Sequence, residues 1–257
     1  MMEDADLGSM ATQWSVILRA AEEQGDAAAA ARSALLLRYH EAVLRYLRAQ
    51  LRDEHAAGQV YSNFAVRILE VDRFLQRVDP QRGRFRDYLK TVLRHMVADY
   101  YREQQRENKQ REALVRRAGA PSEPVPAGSE DDQHFLSCWR QELINWAWQR
   151  LEEAERRTGQ PYAALLRLQE QQPGLRSAQA AEQLTAQLGR PFTADGVRQI
   201  AHRGRELFGE MLVREAARSL QVDLSDPEGV NRVEEELIDL GLLLSFCKAA
   251  LDRCRQR

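Results

Sequence analysis

The chain has 257 residues, with 37 Lys and Arg against 39 Asp and Glu, a net charge of −2 and 44% hydrophobic residues. That length allows one large or two small domains, and that apolar fraction is enough for a packed core. No run approaches the ~20 apolar residues that span a bilayer. The acidic N-terminus (Glu3, Asp4, Asp6) lacks the basic-then-apolar layout of a signal peptide. Three scattered cysteines, Cys138, Cys247 and Cys254, make neither a disulfide framework nor a zinc site. The expectation from these features is an intracellular, cytoplasmic protein without a membrane partner.

Ala, Leu, Arg, Glu and Gln dominate, all good helix formers, and no stretch reads as a strand. The expected fold is all-α. Residues 1 to about 11 read as disordered. A helix begins near Trp14 with Thr12 as its N-cap and is broken by Gly25 and Asp26. A second runs from Ala27 to Leu51 with Ala34, Leu35, Tyr39, Val43, Tyr46 and Leu47 inward. Arg52 to Gly58 reads as a polar turn. A third helix, Gln59 to Val71, uses Val60, Phe64, Ile68 and Leu69. Asp72 to Gly83 reads as a loop or short helix, with Asp79-Pro80 starting a turn.

The next stretch is the most distinctive. From Phe85 the apolar residues Leu89, Val92, Leu93, Met96, Val97 and Tyr100 follow helical spacing. The other side carries Arg86, Lys90, Arg94, Arg102 and Arg106, stepped by fours with Ala98 in the gap. Side chains four apart lie one above the other, so the reading is a positive ridge beside an apolar stripe. Between Arg82 and Arg117 there are eleven basic and five acidic residues, a local net of +6. Such an island in a near-neutral chain points to a polyanion, with a solvated helix face as the alternative.

Ala118 to Gln133 carries Pro121, Pro124 and Pro126 and ends in an acidic patch; it reads as a linker. A helix then runs from about His134 to Arg157 on Phe135, Trp139, Leu143, Trp146 and Leu151. Its tryptophans, with Trp148, read as core rather than as a base-stacking platform. Gly159-Gln160-Pro161 ends it, Tyr162 to Gln171 is helical, and Pro173-Gly174 ends that helix. A short helix from Ser177 stops at Gly189. Thr193 caps another, with Val197, Ile200, Ala201, Phe208, Met211 and Leu212 inward. This is a helix-turn-helix layout. Its second helix offers Arg198, Gln199, His202, Arg203 and Arg205 near its start, where a recognition helix meets base edges and phosphates.

The tail from Asp223 to Asp239 holds seven acids against Arg232 alone and cannot be a DNA surface. Beyond Val233 a heptad stripe runs through Leu237, Leu240, Leu244, Cys247, Leu251 and Cys254. It either packs back on its own domain or docks a partner. The five histidines pair with no Cys or carboxylate at ligand spacing, and no Gly-rich phosphate loop or nucleophile motif occurs. The expectation is a non-enzyme without metal or cofactor.

Taken together, TQWSVILRAA, LLLRYHEAVLRYLRAQL, FAVRIL, VDPQRGRFRDYLKTVLRHMVADYYREQ and AAEQLTAQLGRPFTADGVRQIAHRGRELFGEML resemble the extracytoplasmic-function (ECF) bacterial sigma factors. The likeness is greatest to the ECF-like sigma proteins abundant in planctomycetes. It covers roughly 12–110 and 135–215. It implies a sigma region 2-like domain over 12–117, a linker over 118–134, a sigma region 4-like domain over 135–222, and an acidic linker with a C-terminal helix over 223–257. It further implies a sigma factor that binds core RNA polymerase and directs promoter-specific transcription initiation.

On that resemblance Arg82, Arg84, Arg86, Lys90, Arg94 and Arg102 face the −10 element as it melts, beside a base-capturing loop within Glu70–Arg82. Arg198, Gln199, His202, Arg203 and Arg205 read the −35 element. Gln59, Ser62, Asn63, Phe64 and Arg67 dock on polymerase. The family carries an acidic run ending in Gln-Glu before that Phe; here Ala57 to Asn63 has no acid and ends in Ser62-Asn63. This departure motivates a second reading, a helix-turn-helix regulator with weakened polymerase docking. The acidic heptad tail motivates a third, a sigma-like adaptor held by an inhibitory (anti-sigma) protein.

Overall fold

The computed structural model describes residues 26–70, 84–114, 129–220 and 222–256. All of its regular elements are α-helices: α1 (Asp26–Leu51), α2 (Glu54–Glu70), α3 (Phe85–Leu114), α4 (Ser129–Thr158), α5 (Tyr162–Gln171), α6 (Ser177–Leu188), α7 (Ala194–Leu220), α8 (Pro227–Asp239) and α9 (Ser245–Arg255). Among the described residues no helix is long and apolar enough to cross a membrane. The helix expected near Trp14, the loop 72–83 and most of the Pro-rich segment lie outside the described residues.

The chain divides into two units, Met1–Glu142 and Leu143–Arg257. The division falls inside α4, whereas the sequence reading separates the domains at 118–134. Ser129 to Gln133, read as linker, are helical. The acidic patch that suggested a solvated linker instead occupies the first turn of α4, where the helix dipole favours negative charge.

In the first unit α1 and α2 form a hairpin. Its turn is shorter than the polar composition of 52–58 suggests, because Asp53 caps α2 by accepting the N–H groups of His55 (2.8 Å) and Ala56 (3.0 Å). Arg52 adopts a positive φ of 52°. Glu54 clamps the turn by pairing with Arg48 at 2.6 Å, which holds its carboxyl below the usual carboxylate range. Ala56 and Ala57 are therefore core residues, while Ala34 and Leu69, expected inward, are exposed.

The helical spacing of α3 places Phe85, Leu89, Leu93 and Met96 in the same core. The start of α4 completes it. Trp139 stacks on Tyr39 at 5.1 Å and Phe135 meets Tyr46 edge-on at 5.4 Å. Burial pushes the Tyr39 hydroxyl far above its ordinary value, so it stays protonated.

In the second unit α7 is the central helix. α5 and α6 pack on its first half through Leu165, Leu168, Ala180, Ala181, Leu184, Val197 and Ala201. Trp148 leans on Phe208 at 5.0 Å, so the tryptophan is packing material, as read. The tail covers the second half of α7, burying Val233, Leu237, Cys247 and Leu251. It is two helices rather than one heptad helix. Gly241, at φ 62°, takes the left-handed position after α8. Its N–H reaches the Ile238 carbonyl (2.8 Å), while the Leu242 N–H reaches that of Leu237 (2.7 Å), a Schellman stop. The stripe that suggested a partner-docking helix is thus turned onto its own unit. Gly209 makes the closure tight, because a Cβ there would stand 2.7 Å from the Phe246 carbonyl oxygen.

Candidate nucleic-acid interface

The helix-turn-helix is built by local capping. The Glu155 carboxylate accepts the N–H groups of Ala163 (2.7 Å) and Ala164 (3.0 Å) and so starts α5. Gly189, at φ 65°, ends α6 with its N–H on the Thr185 carbonyl. The Thr185 hydroxyl then accepts the Phe192 N–H at 3.0 Å, fixing the turn. Thr193 starts α7 by accepting the Gly196 N–H at 3.1 Å, as the sequence indicates.

This frame decides which side of α7 faces out. Val197 and Ala201 are buried between α5 and α6, and Ile200 is half-buried. Arg198, Gln199, His202 and Arg203 occupy the opposite side, and all four are exposed. Arg205 is exposed too, but it donates to Gln169 of α5 at 2.7 Å. The pairs made by the others are short-range. Arg198 meets Asp195, and Arg203 meets Glu206 at 3.2 Å, each three residues away. Half-exposed pairs of this kind are worth little and yield to a phosphate.

Two residues that the sequence reading passed over touch this surface. Arg253 of α9 reaches Glu206 at 3.7 Å and Glu210 at 3.0 Å. It shares the acid that Arg203 uses and offsets negative charge beside the recognition face. Arg190, in the turn, lies 4.9 Å over the Phe192 ring and donates to the Gly159 carbonyl. An Arg in a turn carries no periodic signal, and α9 meets α7 only in the folded chain.

The first unit treats its cations differently, and the expected ridge is not a uniformly exposed one. Arg82 lies outside the described residues. Arg84 is half-buried and precedes α3. Arg86 is only 5% exposed. Lys90 and Arg94 close on Asp132 of α4, at 3.1 and 2.9 Å. Lys90, bonded to that carboxylate, and then Arg94 hold it below the ordinary range. Arg102 is exposed and pairs with Asp99 at 2.9 Å. The four-residue step does stack these groups, but α4 lies against the upper part of the stack. Periodicity says which side of a helix avoids one core; it cannot say that a later helix covers that side.

Of the residues expected to meet polymerase, Gln59, Ser62, Asn63 and Arg67 are exposed on α2, and Phe64 is buried beneath them. Ser62 donates back to the Gly58 carbonyl at 2.9 Å. Gln59, Asn63 and Arg67 line a groove whose other wall is α3, with Asp99, Glu103 and Glu107 along it. The acids missing from α2 thus have a counterpart across the groove. Val66, which also lines it, is 47% exposed.

Among the described residues no group of His, Cys, Asp and Glu is arranged to hold a metal ion. Compared with protein-family models, curated proteins and solved structures, the chain yields no match.

Proposed function

We propose that this chain is a sigma-type transcription initiation factor: α7 reads promoter DNA, and the α2–α3 groove docks on core RNA polymerase. The observation that carries the reading is the exposed set Arg198, Gln199, His202 and Arg203 at the start of the second helix of a packed helix-turn-helix. An Arg fork matches guanine edges or phosphates, and Gln matches adenine. Their position near the helix N-terminus is the one that enters a major groove. The groove supports the docking half, since its apolar floor and its acids Asp99, Glu103 and Glu107 suit a basic helix of a partner.

Run-off transcription with the purified chain and core polymerase tests the proposal. Promoter-dependent product from genomic fragments is expected. No product together with no capture of core polymerase would sink it.

A second reading has its own support. Arg86 is buried and Lys90 and Arg94 pair with Asp132, which leaves these cations less available to melting DNA than the exposed set on α7. A helix-turn-helix regulator that binds duplex without docking on polymerase needs only α7. Capture of core polymerase by the full chain separates the two, because only the sigma-type factor retains it.

A further inference from the structure

Lys90 and Arg94 stand one turn apart on α3 and point at one carboxylate, Asp132, in the first turn of α4. Their side chains are 21% and 28% exposed, and that of Asp132 is 47% exposed. The Asp132 side chain therefore reaches the surface, while the oxygen held between the two cations is itself covered. A carboxylate oxygen about 3 Å from two stacked cations stands where a backbone phosphate oxygen would stand. The sequence before it, Ser129-Glu130-Asp131, adds two more acids. The core contacts of α4 begin later, at Phe135 and Trp139.

We propose that Asp132 is an internal phosphate mimic, seated in a nucleic-acid-backbone site made by Lys90 and Arg94, and that the first unit binds DNA when this carboxylate is displaced. The inference rests on the transcription-factor reading above, and it names how one of that factor's DNA surfaces is held shut. The occupant is one carboxylate that touches both cations, whereas a strand offers a charge at every nucleotide. Phosphates at high local density, delivered once α7 holds the duplex, therefore compete well at low salt and poorly at high salt. Arg86, buried beside them, stays out of the exchange.

The test uses the full chain carrying R198A and R203A, so that α7 no longer contributes. The probe is a random-sequence strand of about 20 nucleotides, single and duplex, titrated from about 50 mM salt upward. Adding D132N should tighten binding about three- to tenfold and steepen the salt dependence by about two counterions. Adding K90A and R94A should reverse both changes. D132E should bind as weakly as the parent. Circular dichroism melts check that each variant folds, and D132S replaces D132N if the latter does not.

Unchanged binding by a folded D132N or D132S chain overturns the proposal and leaves Asp132 as a packing contact. A gain that survives K90A and R94A also overturns it, because the cations released lie elsewhere. The reading beneath is tested apart, by duplex binding of the chain with Arg198 and Arg203 intact. If that binding is absent, the DNA assignment itself fails, whatever Asp132 does.

Discussion

Two runs of cations, one on α3 and one on α7, look alike in sequence and end differently. On α3, Arg86 is buried and Lys90 and Arg94 converge on a carboxylate about forty residues further along. On α7, Arg198, Gln199, His202 and Arg203 stay exposed, and the acids near them, Asp195 and Glu206, belong to the same helix. The difference is in what the rest of the chain places opposite each run. A neighbour three residues away lies beside a cation without covering it. A helix packed across its side covers it and brings a fixed counter-charge. On the proposed reading the α7 surface is ready for a ligand, and the α3 surface has to exchange one.

The most damaging way to test this contrast is to remove the frame that aims α7. Leu184 is fully buried between α6 and α7, and Leu184→Ala should cost about 2–5 kcal/mol by denaturant unfolding of the second unit. Duplex binding should fall with it. Lys90 and Arg94 pair within the first unit and should be unaffected, as nuclear magnetic resonance of the two units can record.

Next in size is the surface itself. Arg198→Ala with Arg203→Ala leaves the fold intact, because both side chains are exposed. At about 1–3 kcal/mol per base-reading or phosphate-holding Arg, duplex affinity should drop by about 30-fold or more in a filter or anisotropy assay. Unchanged affinity would show that the exposed run is solvated helix and nothing more.

Two smaller changes probe how α7 is held, one in its second half and one at its start. Gly209→Ala drives a methyl toward the Phe246 carbonyl, so α9 must move away from α7. The expected loss is about 1–3 kcal/mol of stability. Thr193→Ala removes the cap on the Gly196 N–H and should cost about 1 kcal/mol, with a measurable loss of helicity at the start of α7. A Gly209→Ala chain as stable as its parent would mean that the tail is not closed onto α7.

How far the sequence carried each region follows from the range of the forces involved. The helix-turn-helix was legible nearly residue by residue: the stop at Gly189 and the Thr193 cap depend on contacts within four residues of their own position, and Tyr162–Gln171 is bounded by its own breakers even though Glu155 of the preceding helix starts it. The α1–α2 turn was drawn too long because 52–58 is largely polar, whereas Gly58 sits inside a helix already started by Asp53. The tail was legible in its apolar side and illegible in its length. Gly241 occupies a spacing that suits a heptad and a Schellman stop equally, and only packing on α7 decides between them. The α3 ladder was legible as geometry and illegible as surface, because Asp132 lies in a stretch whose composition reads as linker.

The weakest expected effect bears on that last case and comes from acid. In the folded chain the bond from Lys90, followed by the charges of Lys90 and Arg94, depresses the Asp132 carboxyl below its ordinary value. A depressed carboxyl stabilises the fold above its unfolded pKa of about 3.9, and that contribution is lost as the pH falls through the folded value. Glu54 and Asp223 are depressed too, by Arg48 and by Ser225, so the whole chain softens in the same direction. Comparison with Asp132→Asn removes that shared background. The parent should melt higher than the variant at about pH 6, by no more than about 3 °C because the carboxylate is half exposed and screened. The gap should narrow as the pH falls below the unfolded value of about 3.9 and vanish once the folded carboxylate has taken up its proton. A gap that stays constant across that range would mean that the two cations hold Asp132 through shape and not charge, and a phosphate would then have no reason to replace it.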